Sequence, residues 1–480
     1  MRLAIVHYHL RRGGVTRVIA NALEALGDEG REAVVLSSTD SEEPLPCKVV
    51  VVPELAYCES ASMEAVDGLY REMLKAAEDA LGGTPDLWHI HNHGLGKNVN
   101  FPPVLKRLLD EGHRALLQIH DFSEDGRPGN YTRQLQPFAD GIFDGYDQSL
   151  YPLAPQVAYA VLNGRDRSIL ERAGIPPARI HWLPNAVTVP ELEASPRPSE
   201  SGKPLILYPT RGIRRKNLGE VLLLSQLHPE VRFGTTLAPK NPQWFKYYDG
   251  WTRLSRELGL GVEFGLGEQA DIRFGDLVAS ASAMLTTSVG EGFGLAYLEP
   301  WLFGKQLCGR DLPDITRDFR DNNIRLADLY EELPVPCSAF ASDKLRERYT
   351  DSLASTYAAY GRSTGREFLE EAWEAVTSGG QIDFGRLDEV AQAEVIRYTA
   401  DHPGCMESPL PSLPDQLDHD ALQQNAECIR STYGLPQYGA LLRQIYRTVM
   451  ETPTEELQGL SADAVLREFL DTRRFNLLRT

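Results

Sequence analysis

The sequence predicts an α/β protein built as two parallel-sheet halves, and three observations predict it. Strand and helix signals alternate from residue 3 onward, stop, and then alternate again from residue 205. Between the two runs lies VPELEASPRPSESGKP, residues 189–204, rich in Pro, Ser and Glu and without apolar periodicity, which reads as a linker. At 480 residues the chain also exceeds what one ordinary core holds, so two domains of roughly 200 residues each are expected.

The first half opens with LAIVHYH, a continuous apolar run of the kind that parallel strands buried on both faces show. The turn LRRGG follows, then VTRVIANALEALGDEG, whose apolar residues recur at helical spacing up to Gly30. EAVVLSS, DLWHIHNHG, HRALLQIHD, QVAYAVLN and RIHWLPNAV read as five further strands with helices or loops between them. After the linker come LILYPT (strand), NLGEVLLLSQL (helix), EVRFGTTL and GVEFGLG (strands) and FGDLVASA (helix). AMLTTS (strand), LAYLEPWLFG (helix) and KQLCGRD (strand) complete the second half. Strands alternating with helices imply a parallel sheet covered on both faces. From about Leu312 the strand signals fade. DEVAQAEVIRYTA and QYGALLRQIYRTVM read as amphipathic helices separated by the Pro-rich HPGCMESPLPSLPDQ. The expected domains are residues 1–190, residues 200–335, and a mostly helical region 336–480 whose late helices pack back on the others.

Composition narrows the function classes. With 68 acidic against 49 basic side chains the net charge is -19, which repels a phosphate backbone and makes nucleic acid an unsuitable partner. The six cysteines are scattered without CxxC spacing, so they are read as reduced and buried. No run approaches the ~18 apolar residues of a membrane span, and an apolar strand stands where a signal peptide has its charged leader; a cytoplasmic protein with no integral membrane segment is expected.

SVGEGFGLAYLEP, residues 288–300, carries two glutamates eight positions apart with a Gly-Phe-Gly turn between them. The segment falls at the carboxyl end of a predicted strand, where open α/β sheets bind ligands, and a Gly-rich turn at a helix start exposes N–H groups to an anion. On one helix the two carboxylates would stand ~12 Å apart, too far to act on one bond, so they are read as holding two parts of an extended ligand.

With Glu291 and Glu299 forming an E-x7-E pattern, the sequence resembles the retaining GT-B-fold glycosyltransferases, the large family of bacterial glycogen synthase, sucrose-phosphate synthase and the phosphatidylinositol mannosyltransferases. The resemblance implies a GT-B architecture of two Rossmann-like domains facing a cleft. It implies that Glu291 bonds donor-sugar hydroxyls, that Glu299 holds the nucleotide ribose, and that backbone N–H groups around Gly292, Phe293 and Gly294 meet the sugar or diphosphate. Further matches fall in the family's order. In YPTRGIRRKN, Arg211 and Lys216 take the places of the cations that neutralise the donor diphosphate, while Arg214 and Arg215 are read as solvated. Two cations suit a leaving pyrophosphate on which charge builds. LRRGGV matches the N-terminal loop near the diphosphate, with Gly13 and Gly14 admitting close backbone approach. His120 matches the histidine near the reacting carbon, and Asn185 a structural turn.

His89, His91 and His93 alternate, so all three are expected on one face of a strand, and three imidazoles can hold zinc. The resemblance implies no cofactor and no obligatory divalent metal. The chain departs from the family at GRDLPDITRDF, where many members have Gly-Gly, at Pro300, expected to distort the helix bearing Glu299, and after Val335.

The reading is therefore a retaining glycosyltransferase moving a hexose from a nucleoside-diphosphate sugar to a small polar acceptor. Arg11, Arg12, Lys97, Arg127 and Arg133 are candidates for binding an anionic one. Rivals are a sugar-nucleotide epimerase, an NAD-dependent oxidoreductase with Asp40 near the ribose, and a non-catalytic nucleotide- or carbohydrate-binding scaffold. The donor base, hexose, acceptor and oligomeric state stay open at this point.

Overall fold

The computed structural model describes residues 1–190, 202–269, 272–406, 411–414 and 416–479. Most of the segment read as a linker therefore lies outside the described residues. The chain forms two compact units: residues 1–186, 359–361 and 431–471, and residues 187–358, 362–430 and 472–480. The region after 335 is thus divided between the two units, and its helices are joined by a small antiparallel sheet of Pro334–Pro336, Gln381–Asp383 and Thr377–Ser378.

Unit 1 is built on seven parallel strands: β1 (Leu3–Val6), β2 (Val34–Ser37), β3 (Lys48–Val51), β4 (Leu87–His91), β5 (Ala115–Ile119), β6 (Val157–Val161) and β7 (Ile180–Trp182). Their order is β3-β2-β1-β4-β5-β6-β7. Every residue of β1, β4, β5 and β6 is buried, which is why these strands read as unbroken apolar runs. The helix Gly14–Leu26 covers one face through Val18, Ile19, Ala22, Leu23 and Leu26. The helix Leu435–Met450 lies directly on it. A Cβ on Gly439 would come 2.4 Å from the Ala25 carbonyl oxygen, so only glycine permits the approach. Arg443 then donates to the Leu26 carbonyl (2.8 Å), one of the acceptors a helix end leaves over.

Unit 2 holds a six-stranded parallel sheet: β8 (Leu205–Arg211), β9 (Arg232–Leu237), β10 (Val262–Glu263), β11 (Ala281–Thr286), β12 (Leu307–Arg310) and β13 (Leu329–Tyr330), in the order β10-β9-β8-β11-β12-β13. Both sheets reverse direction of growth once, between β1 and β4 in unit 1 and between β8 and β11 in unit 2. At such switch points the loops leaving adjacent strands diverge and open a crevice.

The segment read as one helix, LAYLEPWLFG, is two elements: a 3-10 turn, Leu295–Tyr297, and a short helix, Glu299–Leu302. Pro300 sits in that helix's first turn, where its missing N–H would have had no intrahelical partner. It therefore starts a helix and distorts none, and Glu299 is the first helical residue.

Gly309 and Arg310 end β12, at the departure from the resembled family expected at GRDLPDITRDF. Arg310, almost wholly buried, donates to Glu220 (Nη2–Oε2 2.6 Å) and to Asp383 (Nη1–Oδ2 2.9 Å), and Tyr330 donates to Glu220 (2.7 Å). Burial raises the Glu220 carboxyl against the pull of Arg310, so the network holds only as a complete set.

Candidate functional site

In unit 2 the loops leaving β8 and β11 are laced together at the switch point. β8 passes into the 3-10 turn Arg214–Lys216, then Asn217, whose left-handed backbone (φ 50°) starts the helix Leu218–Leu227. From the other strand, the Thr287 hydroxyl donates to the carbonyls of Lys216 (2.9 Å) and Asn217 (3.1 Å), and the Val289 N–H donates to Arg215 (2.9 Å). The Tyr208 hydroxyl, from inside the sheet, donates to Lys216 as well (3.3 Å). The backbone of the basic turn is thereby fixed on both sides, and its side chains are aimed.

Glu291 receives two of them. Lys216 Nζ meets its Oε1, and Arg215 Nη1 its Oε2 at 3.1 Å; the side chains of Glu291 and Lys216 are 11% and 14% exposed. Burial pushes the Glu291 carboxyl up, but Lys216 and Arg215 outweigh it and hold the group below its ordinary value. Burial, with Arg215 alongside, draws the Lys216 ammonium down. A strand-end crevice thus holds two cations on one carboxylate.

The other expected residues of this half fall around the cluster. Arg211 ends β8 and donates to the Ala238 carbonyl (2.9 Å) beyond β9, so it flanks the basic turn on the opposite side from Glu291. Gly294 is left-handed (φ 94°), and a Cβ there would lie 2.7 Å from Ile315 Cγ2, so the turn requires glycine. Gly292 is exposed with open space about it. The Phe293 ring is buried, edge-on to Phe319 at 5.8 Å, and belongs to the core; only its backbone faces the loop's chemistry. Arg215, read from the sequence as solvated, is a member of the cluster. Arg214 is not free either, for it is held bidentately by Glu389.

In unit 1 the switch point carries imidazoles. His120 directly follows β5, and its Nε2 lies 2.8 Å from His91 Nδ1 with the rings stacked. Asn92, left-handed at φ 54°, accepts from the N–H groups of His120 (2.8 Å) and Asp121 (3.1 Å), so β4 sets the turn that presents His120. Burial first, then His7 and His89, lowers His120 to about 3, and burial with a Gln118 contact leaves His89 at about 4. These rings are neutral near pH 7. Among the described residues His91 Nε2 is buried without a partner. Orphaned buried N–H groups are rarer than orphaned acceptors. The proton is therefore assigned to His91 Nδ1, which donates to His120 Nε2, and His120 carries its own proton on Nδ1.

The alternation of His89, His91 and His93 does not produce a three-imidazole face. His89 and His91 stack at 4.4 Å, but the positive φ of Asn92 ends the strand, and His93 turns away to the Leu150 carbonyl (2.7 Å). His89 is spent on Tyr446 (2.8 Å) and Gln118 (3.0 Å). Among the described residues no three His, Cys, Asp or Glu side chains are grouped to hold a metal.

Gly13 and Gly14 are exposed at the head of the helix Gly14–Leu26, whose start has no side-chain cap bond. Gly13 is extended and neither position is crowded. Of the candidate acceptor cations, Arg12 is spent on Glu43 (2.8 Å), Arg127 on Asp121 (2.5 Å) and Arg133 on Glu59 (3.0 Å). Lys97 stands 5.2 Å over the Tyr57 ring, whose hydroxyl lies 3.1 Å from His9 Nε2. Burial, then Arg133 and Arg127, lowers the Lys97 ammonium against the opposing pull of Asp121 and Glu59. Asn185 lies in the loop after β7.

Comparison with known proteins places this geometry. No family model matches the chain. It is 28% identical over 379 residues to mannosylglucosyl-3-phosphoglycerate synthase from Petrotoga mobilis, covering 73% of this chain and 72% of that protein. Sucrose-phosphate synthase from Thermosynechococcus elongatus superposes with a TM-score of 0.52 at 14% identity, over 93% of this chain and 98% of that one. A glycosyltransferase from Rickettsia africae gives 0.53 at 11% identity, over 94% and 98%. Anabaena HepE in complex with UDP and glucose gives 0.51 at 12% identity, over 94% and 99%. These structural likenesses show the fold, which is GT-B. No helix of the described residues is long and apolar enough to cross a membrane.

Proposed function

We propose that this chain, a glycosyltransferase of the GT-B fold, moves a hexose from a nucleoside-diphosphate sugar to a hydroxyl of a small anionic acceptor with retention of anomeric configuration. The observation that carries the reading is the cluster of Lys216, Arg215 and Glu291 at the unit 2 switch point. A donor diphosphate brings the negative charge that Lys216 and Arg215 now meet only in one carboxylate. Once the diphosphate engages them, Glu291 is released toward the sugar hydroxyls. Arg211 flanks the same turn as a further cation, Glu299 is assigned the ribose, and the backbone of Gly292, Phe293 and Gly294 the sugar or diphosphate. In unit 1, Gly13 and Gly14 offer uncapped N–H groups and His120 Nδ1–H a neutral donor; the resemblance assigns the glycines to the diphosphate and His120 to the reacting carbon.

In the reaction the bond from the anomeric carbon to the diphosphate oxygen breaks and its electron pair stays with the leaving oxygen. The acceptor oxygen bonds to the anomeric carbon on the same face, and its proton passes to the departing phosphate. Charge develops on the leaving group, so fixed cations there stabilise the transition state more than the ground state. No divalent metal is assigned a role, since Arg and Lys supply the positive charge.

Two observations support an anionic acceptor. The relative's name gives a glycosylated 3-phosphoglycerate as its product. In unit 1, Lys97 and Arg11 form no direct ion pair among the described residues and stand beside Tyr57 and His9, with Asp121 and Glu59 acting on Lys97 from further off. The test is transfer from UDP-, GDP- and ADP-hexoses to 3-phosphoglycerate, its glucoside, glycerol and a neutral disaccharide, with the anomeric product read by NMR. Transfer to an anionic acceptor with retained configuration is expected from one donor base. Preference for the neutral acceptors would overturn the acceptor assignment, an inverted product the stereochemical one, and no release of nucleoside diphosphate from any donor the whole reading.

A further inference from the structure

Transfer makes no use of a cavity on the flank of unit 2. It is an open cleft of about 680 Å³ between the helices Phe245–Glu257 and Glu389–Asp401 that ends at Arg214, within the size range of small-molecule sites. Neither Lys216 nor Glu291 lines it. Its aromatic wall is Trp244, Tyr247 and Trp251. Lys246, Gly250 and Arg253 also line it, at the i, i+4, i+7 spacing that puts them on one face of their helix. A Cβ on Gly250 would meet nothing within 4 Å, so the middle of that face is bare.

The charges decide what fits. Two carboxylates line the cavity, and both are committed: Glu389 to Arg214 (Nη2–Oε2 2.9 Å) and Glu257 to Arg397 (3.1 Å). Lys246 and Arg253 are exposed and have no partner among the described residues. A pocket with two uncommitted cations and no uncommitted carboxylate, on a chain of net charge -19, attracts an anion locally. The aromatic wall adds an apolar face against which the C–H side of a pyranose packs. We propose that this cavity binds a phosphorylated monosaccharide, the phosphate between Lys246 and Arg253 and the ring against Trp244 and Tyr247.

The wall reaches the donor loops. The Tyr247 hydroxyl accepts from the Leu218 N–H (3.1 Å) and donates to the Arg214 carbonyl (3.3 Å), so it brackets the turn bearing Lys216. A ligand that orders Tyr247 and Arg214 thereby orders that turn, and transfer is expected to rise when the cavity fills. This last consequence rests on the transferase reading; the binding does not.

Isothermal titration of the full chain with glucose 6-phosphate, glucose and inorganic phosphate tests the site. Wild type is expected to bind glucose 6-phosphate saturably and the other two at least tenfold more weakly. Two variants at exposed positions separate this cavity from the acceptor site: Lys246→Glu combined with Arg253→Glu, and Gly250→Leu, which fills the cavity with a better helix former. Each should weaken glucose 6-phosphate at least tenfold while nucleoside diphosphate binding stays unchanged. Undiminished binding in both variants would overturn the proposal, as would equal affinity for inorganic phosphate or no heat with glucose 6-phosphate at millimolar concentration. If the sugar phosphate binds as expected but no donor is ever turned over, the cavity stands and the transferase reading falls.

Discussion

Lys216→Met removes the charge from the Lys216–Glu291 pair while keeping an unbranched side chain of similar length. Breaking a buried pair by deleting one partner costs ~3–5 kcal/mol. Here Arg215 remains at 3.1 Å from Glu291, and it is 41% exposed, so screening and the surviving partner reduce the cost to about 2 kcal/mol near neutral pH. For a domain of this size that lowers Tm by roughly 4–8 °C. The pH dependence is the sharper test. In the wild type the Glu291 carboxyl is held below its unfolded value, so its contribution is present above the unfolded pKa and is lost as pH falls through the folded one. Without Lys216, burial is opposed only by Arg215 and a Ser288 hydrogen bond, and the folded pKa rises. The variant carboxyl then protonates at a higher pH than the wild-type one, and the Tm gap closes as pH drops from 7 toward 4. Differential scanning calorimetry of both proteins at pH 7, 6, 5 and 4 measures the gap. A gap that stays constant would refute the ion-pair account of Glu291. In transfer assays the same variant should lose ~10²–10³ in rate, the range for one group that stabilises a developing anion.

Asn92→Ala deletes the acceptor of two N–H groups and puts alanine at φ 54°, so unit 1 should lose ~2–4 kcal/mol in urea unfolding and kcat should fall with His120 misplaced; unchanged kcat would sink the positioning role. His7, His89 and His93 at about 4 and His120 at about 3 all lie below the unfolded value of ~6.5, so the folded state binds fewer protons; each contributes stability that is complete above that value and declines by ~1.4 kcal/mol per pH unit below it. A urea midpoint that is flat between pH 7 and 5 would contradict this. Arg310→Met strands Glu220 and Asp383 and should cost ~3–5 kcal/mol by thermal unfolding, with a loss under 1 kcal/mol refuting the network. Lys97→Met should raise KM for an anionic acceptor about tenfold with the donor KM unchanged, and equal effects on both substrates would detach Lys97 from the acceptor.

The two sheets were legible because burial on both faces writes itself into the chain as apolar runs: Leu3–Val6 and Val157–Val161 are buried at every position. The division of the late helices was not legible. The helix Leu435–Met450 belongs to unit 1 because Gly439 fits against Ala25, Arg443 finds the last carbonyls of the first helix, and Tyr446 reaches His89. These contacts span more than 350 residues, and no periodicity within the helix encodes them. The left-handed Asn92 was open to suspicion, since Asn tolerates that conformation best after Gly, but its neighbours also fit an unbroken strand.

The basic turn shows the same limit inside a motif. RGIRRK places Arg214, Arg215 and Lys216 in succession, and spacing alone sorts none of them. A 3-10 turn advances about 120° per residue, so three consecutive side chains leave it in three directions. Lys216 and Arg215 both reach Glu291, one from within the crevice and one from its rim, while Arg214 swings out to Glu389, 175 residues further along. The cation that leaves the site is thus chosen by a carboxylate on a distant helix. Removing that charge, as in Glu389→Gln, loosens Arg214 beside the turn, while Lys216 stays held through Tyr208, Thr287, Val289 and Glu291.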